Sequence, residues 1–357
     1  MSPRQLVVTA PRTLAYRPVE RRELAATEVR LTSVASAISH GTELHLYRGT
    51  APFATHSFDP RLRVFSAAGS GADEATPLGY ELVGEVVELG SQVDQVAVGD
   101  LVHAAVPHAD EVVVDLDRPE PLGYPAQRLP DGMPVDAGLF TALACVALFA
   151  THDAAIKVGD RVVVSGLGVI GLLTVQLARL DGATTVLAVD PIAERRSLAM
   201  RLGADAALDP DAEPVGAGVK RRLGGEGLDA GADVVVETSG AATALHEAIA
   251  SVRVGGTVVS AGFAQGGAAQ LRLGEEWHHN RPQLVSSMGV WDCPHRDHPR
   301  WDRLRVARTA LSLLGSGTLQ VEELVGPSYR FEEAARAYAL LDEQATPPLK
   351  VVLRYDS

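Results

Sequence analysis

The stretch that decides the fold is GDRVVVSGLGVIGLLTVQLARLDGA, residues 159–183. It begins with a Val-rich run of strand length, passes through a glycine-rich turn and ends in a longer apolar run typical of a helix. The turn GLGVIG has the spacing G-x-G-x-x-G, whose glycines permit a tight turn, a close approach of the backbone to a pyrophosphate, and close packing of helix on strand. We therefore predict that a dinucleotide binds where this helix begins. The predicted contacts are Gly166, Gly168, Val169, Ile170 and Gly171.

The same alternation of strand and helix continues to about residue 285. After the glycine turn come a strand TVLAVD, a helix AERRSLAMRLGA, a strand in ADVVVETSG, the segment HEAIASVR and a strand GGTVVSAG. Strands that alternate with helices are the pattern of a parallel, doubly wound sheet, which binds its ligand at the carboxyl ends of its strands. We predict such a Rossmann domain over residues 129–285, with Ser239 as a further cofactor contact.

The second strand of this domain ends in Asp190, about 20 residues after the glycines. A carboxylate there can accept hydrogen bonds from the adenosine ribose and repels a 2'-phosphate, which favours NAD over NADP. Asp190 can also simply cap the helix that begins at Pro191. Arg195 and Arg196 lie one turn into that helix. They can stack on adenine or accept a phosphate, although such arginines are most often only solvated.

The regions on either side of the Rossmann domain have a different pattern. From Leu6 to about Asp115 the sequence alternates short Val-rich runs with Gly, Pro and Asp, as in EVRLTSVAS, ELVGEVVELG and ADEVVVD, which predicts an all-β module. Residues 286–357 contain a helix near 303–314, an amphipathic helix FEEAARAYALLDE and a last strand LKVVLRY, and we expect them to rejoin that module. The small-residue segment 66–77 predicts a surface loop.

The composition excludes several classes of protein. A chain of 357 residues exceeds what one core usually organises, so two domains are expected. Lys and Arg total 32 against 45 Asp and Glu, a net charge of -13, which argues against a nucleic-acid partner. Cys145 and Cys293 are too few for a disulfide framework and fit a reducing cytoplasm. The uncharged run 137–151 is shorter than the ~20 residues of a membrane span, so we predict a buried core helix and no membrane association.

Together these motifs resemble the medium-chain dehydrogenase/reductase superfamily, the zinc-type alcohol dehydrogenase-like proteins, over nearly the whole chain. The strings SAISHGTELHLYRG, VPHADEVVV and EEWHHNRPQLVSS are similar to its bacteriochlorophyllide-dehydrogenase-like branch. The resemblance implies an α/β protein in which residues 1–128 and 286–357 form a GroES-like β-barrel catalytic domain beside the Rossmann domain. It also implies an NAD(P)-dependent oxidoreductase that moves a hydride to or from a small-molecule substrate.

The resemblance breaks at the zinc ligands. Zinc-dependent relatives hold the metal with a Cys in a C-G-T-D-like string, the His of G-H-E, and a Cys or Glu at the start of the interdomain helix. The corresponding residues here are His40 in SHGTE, Tyr80 in GYE, and Ala142. A single imidazole in place of three ligands cannot make a zinc site, and the four-cysteine structural lobe is also absent from the sequence. We therefore predict an enzyme that works without zinc.

Without a metal, hydrogen-bond donors must stabilise the developing alkoxide and supply its proton. Tyr80, at a former ligand position, is the first candidate for general acid or oxyanion donor, although it can also merely fill the vacated space. The resemblance places Thr42 and His45 where relatives relay protons to solvent, with a solvated His45 as the alternative. His40 is a candidate substrate contact. Glu81 is expected to have a structural or supporting role next to Tyr80.

Trp277, His278, His279 and Asn280 form a polar and aromatic cluster after the Rossmann core. Trp277, His278 and Asn280 are candidate substrate contacts. An interface loop is the alternative, because such side chains also enrich contact surfaces. Three further residues are expected to be structural, namely His103, His108 and Cys145.

The favoured function is hydride transfer between NAD(H) and a secondary alcohol or ketone of a small, cyclic or polyfunctional metabolite. An enoyl reductase that uses NADPH is one alternative, and a dinucleotide-binding protein without catalysis is another. The strand QLVSSMGV can extend a sheet across a two-fold axis, so a homodimer is expected.

Overall fold

The computed structural model describes residues 2–52, 56–67, 75–118, 124–264, 267–289 and 301–356. The chain forms two compact units. Unit 1 comprises Met1–Ala142, Arg303–Gly315 and Val321–Ser357, and unit 2 comprises Leu143–Asp302 and Ser316–Gln320. The chain therefore passes from unit 1 to unit 2 after Ala142 and returns after Asp302, whereas the predicted boundaries were residues 128 and 285.

The strands and helices are numbered in chain order. The strands are β1 (Arg4–Ala10), β2 (Thr13–Pro18), β3 (Glu28–Ile38), β4 (His56–Asp59), β5 (Val64–Ala67), β6 (Thr76–Pro77), β7 (Leu82–Leu89), β8 (Leu101–Ala104), β9 (Glu111–Asp115), β10 (Gln127–Arg128), β11 (Arg161–Ser165), β12 (Thr185–Val189), β13 (Ala206–Leu208), β14 (Ala232–Glu237), β15 (Val252–Ser260), β16 (Gln283–Ser286), β17 (Val325–Arg330) and β18 (Lys350–Arg354). The helices are α1 (His40–Arg48), α2 (Val135–Gly138), α3 (Thr141–Ala154), α4 (Val169–Leu180), α5 (Ala193–Arg201), α6 (Val215–Leu223), α7 (Ala242–Ser251), α8 (His278–Asn280), α9 (Arg303–Gly315) and α10 (Ala334–Glu343).

Contacts beyond residue 128 explain the first change of unit. Helix α2 packs against α9, and Asp136 in α2 forms a salt bridge of 2.6 Å with Arg354 in β18. The ammonium group of Lys350 lies 5.2 Å from the centre of the Phe140 ring. The chain returns to unit 1 later than residue 285 because β16 pairs with β15 and so belongs to the sheet of unit 2.

Unit 1 is built on antiparallel sheets. The strand order of the larger sheet is β10-β8-β7-β3-β18-β17, and β9 pairs with the first half of β3. Its neighbouring strands are antiparallel except β17 and β18, which are parallel. The smaller sheet has the order β2-β1-β6, and β4 and β5 form a hairpin. Most of β3 is buried, as expected of a strand with partners on both sides. The C-terminal segment thus returns to the predicted all-β module and supplies a strand next to β3.

Unit 2 is a six-stranded sheet in which every pair is parallel. The strand order is β13-β12-β11-β14-β15-β16. The direction in which strands are added reverses between β11 and β14, and ligands of such sheets bind outside the carboxyl ends of the strands at that reversal. The glycine turn leaves β11 at this place. The predicted Rossmann domain and the α/β fold class are confirmed.

Several elements differ from the sequence-based expectations. The sequence did not predict β13 and α6, and it left the segment that forms α1 between a loop and a short helix. The predicted core helix over 137–151 is α3, which is mostly buried and contains the buried Cys145. The predicted loop 66–77 begins in β5 and ends in β6, and its residues 68–74 lie outside the described residues, as does Cys293.

Two further findings concern surfaces. Strand β16 lies at one end of the strand order of its sheet, and a homodimer formed through this strand stays a prediction. In the described part of the chain, no helix combines the length and the apolar character needed to cross a membrane.

Candidate functional site

The glycine turn joins β11 to α4, and two of its glycines have no room for a side chain. Gly166 has φ +89°, and a Cβ there would lie 2.7 Å from the backbone nitrogen of Ser239. A Cβ on Gly171 would overlap the carbonyl oxygen of Gly166, well inside the 3.0 Å that real Cβ atoms keep. Gly168 differs, because a Cβ on it would meet no protein atom within 4 Å. The open side of Gly168 is the side on which a pyrophosphate can approach the backbone.

Val169 and Ile170 are the first two residues of α4. The N–H of Leu172 donates a 2.9 Å hydrogen bond to the carbonyl of Gly168, so the helical repeat begins at that glycine. N–H groups in the first turn of a helix have no carbonyl partner within the helix and carry partial positive charge. The N-terminus of α4 therefore suits the binding of phosphate.

Asp190 follows β12 and is buried, with 5% of its surface exposed. Its Oδ2 accepts a 2.7 Å hydrogen bond from the N–H of Leu167, inside the glycine turn, and its Oδ1 accepts one of 2.8 Å from the N–H of Ile192. The carboxylate thus fixes the turn and also caps the segment that leads into α5. Each oxygen of the Asp190 carboxylate can accept one more hydrogen bond. The two hydroxyl groups of an adenosine ribose could donate these hydrogen bonds.

The two arginines of α5 have different surroundings. Arg196 donates hydrogen bonds of 2.7 Å and 2.8 Å to the carbonyls of Asp190 and Pro191, and it forms a 2.9 Å salt bridge with Asp209. It therefore holds the ends of β12 and β13 together. Burial lowers the pKa of the Arg195 guanidinium, and the nearby Asp190 acts in the opposite direction. Arg195 remains the candidate for a contact with adenine.

The sequence pattern gave no sign of the buried carboxylate that lies beside the glycine turn. Glu237 ends β14, and its Oε1 accepts hydrogen bonds from the N–H of Ser239 at 2.7 Å, from the hydroxyl of Ser239, and from the N–H of Gly240 at 3.2 Å. Burial raises the pKa of Glu237, and these hydrogen bonds act against that rise. The next residue, Thr238, donates a 2.7 Å hydrogen bond to the carbonyl of Gly166. Glu237 and Thr238 therefore fix the loop that backs the glycine turn.

Tyr80 of unit 1 lies just before β7 and beside the first turn of α1. The side chains of Ser39 and Thr42 lie near its phenol, and the buried Ser39 hydroxyl makes no hydrogen bond to any described residue. Burial raises the pKa of the Tyr80 phenol well above its ordinary value, and these two hydroxyl groups only partly offset the rise. Tyr80 keeps some exposure and Thr42 is exposed. Tyr80 is therefore a protonated hydrogen-bond donor at neutral pH, as an oxyanion donor must be.

His45 and His40 lie on the same helix as Thr42. The Nδ1 of His45 is 3.0 Å from the hydroxyl oxygen of Thr50. Burial, together with the charge of Arg48, lowers the pKa of His45 below its ordinary value, so its ring is neutral at pH 7 and can accept a proton. His40 is the first residue of α1 and is partly exposed.

Glu81 follows Tyr80 but is fully buried in a cluster of its own. Its Oε2 lies 2.8 Å from Nε2 of His103 and accepts a 3.3 Å hydrogen bond from the N–H of Ala142. Its Oε1 lies 3.5 Å from Nζ of Lys350. Burial lowers the pKa of Lys350, and the charge of Glu81 raises it. Glu81 is therefore buried among partners of unit 1 next to β7, which is the arrangement of a structural residue.

A second buried network lies beneath α1, and the sequence did not single out Glu43 as part of it. Oε1 of Glu43 accepts a 2.7 Å hydrogen bond from the N–H of Ser39. Its Oε2 lies 3.0 Å from Nε2 of His108 and accepts a hydrogen bond from the hydroxyl of Tyr338. Burial acts to raise the pKa of Glu43, but His108, Tyr338 and Ser39 outweigh it and lower that pKa, so the carboxylate is ionised.

Trp277 is partly buried and packs against the hydrophobic cluster of unit 2, which includes Val215 and Val219 of α6. The His278 side chain is exposed, and Asn280 ends the short helix α8. Packing alone accounts for the position of Trp277. The roles of Trp277, His278 and Asn280 as substrate contacts stay predictions.

His246, Glu275 and Glu276 form the one group of three side chains, within the described residues, whose ligand atoms lie close enough to share a metal ion. Arg272 already contacts this group. Its guanidinium lies 2.7 Å from Nε2 of His246 and 2.8 Å from Oε2 of Glu275. A fixed positive charge therefore occupies the place where a metal ion would have to bind, and we assign no metal to it.

The comparisons with known proteins agree with this architecture. The model of the family described as Zinc-binding dehydrogenase matches residues 169–297. The chain is 36% identical over 340 residues to D-guloside 3-dehydrogenase of Escherichia coli (strain K12), a match that covers 94% of this chain and 95% of the relative. It is 29% identical over 299 residues to sorbitol dehydrogenase 1 of Saccharomyces cerevisiae, covering 73% of this chain and 76% of that protein.

Among solved structures, one described as a zinc-binding dehydrogenase from Sinorhizobium meliloti 1021, bound to NADP, matches with a TM-score of 0.76 and 25% identity over 99% of both chains. These matches confirm the predicted family. Since the match to the Escherichia coli enzyme spans nearly all of both proteins, this chain belongs to the medium-chain dehydrogenase/reductase superfamily, the alcohol dehydrogenase-like oxidoreductases that use a nicotinamide dinucleotide.

Proposed function

We propose that this chain is an NAD-dependent, zinc-independent dehydrogenase that oxidises a secondary hydroxyl group of a sugar or polyol to the ketone. The observation that carries the proposal is the glycine turn after β11 with Asp190 bound to its Leu167 N–H. The substrate class rests on the relatives named D-guloside 3-dehydrogenase and sorbitol dehydrogenase 1, both of which are named for carbohydrate-like substrates. A substrate of this kind is a small, polyfunctional and often cyclic alcohol.

The proposed chemistry divides between the cofactor and the side chains of unit 1. The nicotinamide ring, when bound, takes up the hydride that leaves the alcohol carbon. Tyr80 donates a hydrogen bond to the substrate oxygen, on which negative charge develops as the hydroxyl proton departs. Its raised pKa favours this role, because the phenol stays protonated at neutral and mildly alkaline pH.

The proton that leaves the substrate needs a route to solvent. Because the Tyr80 phenol stays protonated and donates to the substrate oxygen, the exposed Thr42 hydroxyl accepts the substrate proton and releases its own proton toward His45. His45 lies one turn later in α1 and is neutral at pH 7 because burial lowers its pKa. We assign Thr42 and His45 to this route and His40, at the exposed start of α1, to contact with the polar substrate.

The residues at the former ligand positions do not fit zinc. Ala142 offers no ligand side chain, and its N–H donates to the buried Glu81. The phenol of Tyr80 is not among the Cys, His, Asp and Glu groups that usually hold zinc. His40 alone supplies a suitable donor. These observations support chemistry without zinc, and no step of the proposal passes through a metal.

A panel of glycosides, free sugars, polyols and simple secondary alcohols, followed at the nicotinamide absorbance with NAD and with NADP, tests this function. We expect turnover on members of the sugar and polyol groups with NAD, and we expect it to survive dialysis against a zinc chelator. Metal analysis of the same sample is the control. One zinc ion per chain, or activity lost with the chelator and restored by zinc, contradicts zinc independence. Turnover confined to activated alkenes with NADPH would show an alkene reductase instead.

The choice of NAD is tested at Asp190. Asp190→Asn removes the negative charge and leaves a single oxygen to accept from Leu167 N–H or Ile192 N–H, so we expect NADH to bind about 10-fold to 100-fold more weakly, the value of a hydrogen bond to a charged group. NADPH should bind more tightly than it does to the unmodified protein, because its 2'-phosphate is no longer repelled. Fluorescence titration with both cofactors measures the two changes.

The matched control for this experiment is Glu194→Gln, which removes one exposed negative charge from the first turn of α5. Its cofactor affinities should stay within about twofold of the unmodified protein, as expected for a screened surface charge. Tighter binding of NADPH than of NADH by the unmodified protein contradicts the role of Asp190.

A further inference from the structure

Glu43 and His108 form a pair that is removed from solvent, with 1% and 0% of their surfaces exposed. Glu43 Oε2 also accepts a hydrogen bond from the hydroxyl of Tyr338 in α10, so both carboxylate oxygens have partners, as burial requires. Breaking a buried charged pair on one side is costly, whereas apolar residues of similar volume can fill such a space without that cost. The network of Glu43, His108 and Tyr338 is therefore weak evidence for stability, and we looked for another role in the segments that it connects.

The first link from this pair to Tyr80 runs through His108. The N–H of His108 donates a 2.8 Å hydrogen bond to the carbonyl of Leu78. The imidazole ring packs against Gly79, which has φ +103°, and a Cβ on Gly79 would lie 2.7 Å from the ring. His108 thus contacts the two residues that immediately precede Tyr80, and it sets the direction in which the chain enters Tyr80.

The second link runs through the first turn of α1. Glu43 Oε1 accepts the N–H of Ser39, while the N–H groups of Thr42 and Glu43 donate to the Ser39 carbonyl at 3.1 Å and 2.9 Å. Ser39 and Thr42 are also the residues whose side chains lie near the Tyr80 phenol. Glu43 therefore contacts the first turn of α1 directly and, through His108, the segment that carries Tyr80.

The far side of the network fixes the orientation of the His108 ring. Because the Glu43 carboxylate can only accept, Nε2 of His108 must carry a proton toward it. Nδ1 of His108 lies 2.7 Å from the hydroxyl oxygen of Ser36, which lies 2.8 Å from the hydroxyl oxygen of Tyr355. Ser36, His108 and Glu43 have the order of a nucleophilic triad, but Ser36 is fully buried and cannot reach a substrate. The arrangement holds a ring in place and does not attack a bond.

We propose that Glu43 is the positioning residue of the active site: through His108 on one side and Ser39 on the other, it fixes the Tyr80 phenol in the place from which it acts. This inference rests on the proposed function for Tyr80. Glu43 touches no reacting atom and acts only through Tyr80. The residues that share this task are His108 and Tyr338.

A fluorine resonance at position 80 tests the positioning without any substrate. With 3-fluorotyrosine introduced at position 80 of the full chain, we expect one narrow ¹⁹F signal, and we expect Glu43→Gln to move or broaden it. Glu28→Gln is the matched control, because it also removes a salt-bridged carboxylate of unit 1. Glu28 is the first residue of β3, whereas Glu43 lies beyond the last residue of that strand. An unchanged signal in Glu43→Gln, or an equal change in Glu28→Gln, overturns the proposal. Tyr338→Phe removes one donor to Glu43 and should move the signal less, which keeps the test open if Glu43→Gln does not fold.

A kinetic cycle with Tyr80→Phe separates positioning from general damage. We expect Glu43→Gln to lower kcat about 10-fold to 100-fold when Tyr80 is present, the effect of a small misplacement of a catalytic group. In the Tyr80→Phe background the same change should alter kcat less than about twofold, because the group that Glu43 positions has gone. An equal loss in both backgrounds overturns the proposal. A lack of turnover by the unmodified protein on every substrate counts against the proposed function, and the fluorine experiment then still decides the positioning.

Discussion

Gly171→Ala is expected to destabilise unit 2 and to abolish dinucleotide binding. A Cβ at this position overlaps the carbonyl oxygen of Gly166 and lies 2.9 Å from the hydroxyl oxygen of Thr238. The overlap is with backbone, so α4 must move away from β11 to relieve it, and we expect a loss of about 3 kcal/mol or more in the free energy of unfolding. Urea denaturation followed by circular dichroism measures the loss, and titration with NADH measures the binding.

Gly168→Ala is the control that separates packing from ligand approach. A Cβ on Gly168 meets no protein atom within 4 Å, and the residue has φ -70°, which any residue can adopt. We expect the free energy of unfolding to change by no more than about 0.5 kcal/mol, as for an unconstrained surface position. NADH should nevertheless bind more weakly, because the methyl group stands where the pyrophosphate approaches. Unchanged binding in this variant would place the phosphates somewhere other than this turn.

Tyr80→Phe is expected to lower kcat by about 100-fold to 10,000-fold, the range for removal of a general acid or an oxyanion donor. The affinity for NADH should stay the same, since the predicted cofactor contacts lie in unit 2. Removal of one hydroxyl group should change the free energy of unfolding by only about 1 kcal/mol. Steady-state kinetics on the best substrate of the panel, with NADH titration beside it, provides the measurement.

Tyr16→Phe is the matched control for Tyr80→Phe. Tyr16 is another partly buried tyrosine of unit 1, and its hydroxyl donates a 2.6 Å hydrogen bond to the carbonyl of Phe331. This variant loses a hydrogen bond of similar kind, and its kcat should stay within about twofold. If Tyr80→Phe behaves like Tyr16→Phe, Tyr80 only fills the space at a former ligand position.

The Rossmann domain could be predicted because its signals are local in the sequence. The three glycines, the Val-rich strand before them and the helix after them lie within residues 159–183, and the packing of Gly171 on Gly166 connects residues only one turn apart. The position of Asp190 could be predicted for the same reason, because it directly follows the next strand, whereas its contact with the cofactor stays a prediction. Its hydrogen bond to the Leu167 N–H gives it a structural task as well, which the sequence left as an alternative.

The buried networks of unit 1 could not be predicted, because their partners are distant in the chain. Glu43 and Tyr338 are 295 positions apart, and Glu43 and His108 are 65 apart. In the string SHGTELHLYRG, Glu43 has the pattern of an ordinary polar helix residue, and only the tertiary fold removes it from solvent. His108 was expected to be structural, but nothing in the sequence pairs it with Glu43.

The same limit applies to the boundary of the units. The predicted Rossmann domain includes the segment 129–142, which leads into a long apolar helix. Its partners are Arg354 for Asp136 and Lys350 for Phe140, both of which lie in the last strand. A pattern of local hydrophobicity cannot reveal which distant strand such a segment will meet.

The position of β18 also has a consequence for the order of events on the ribosome. This strand follows all the other described strands in the chain, yet it stands between β3 and β17 and brings the buried Lys350 to Glu81. The contiguous part of unit 2, Leu143–Asp302, emerges earlier and contains all six of its strands. A nascent chain can therefore complete its nucleotide-binding sheet while β3 still lacks a neighbour, so the nascent enzyme exposes an open strand edge until β18 has emerged.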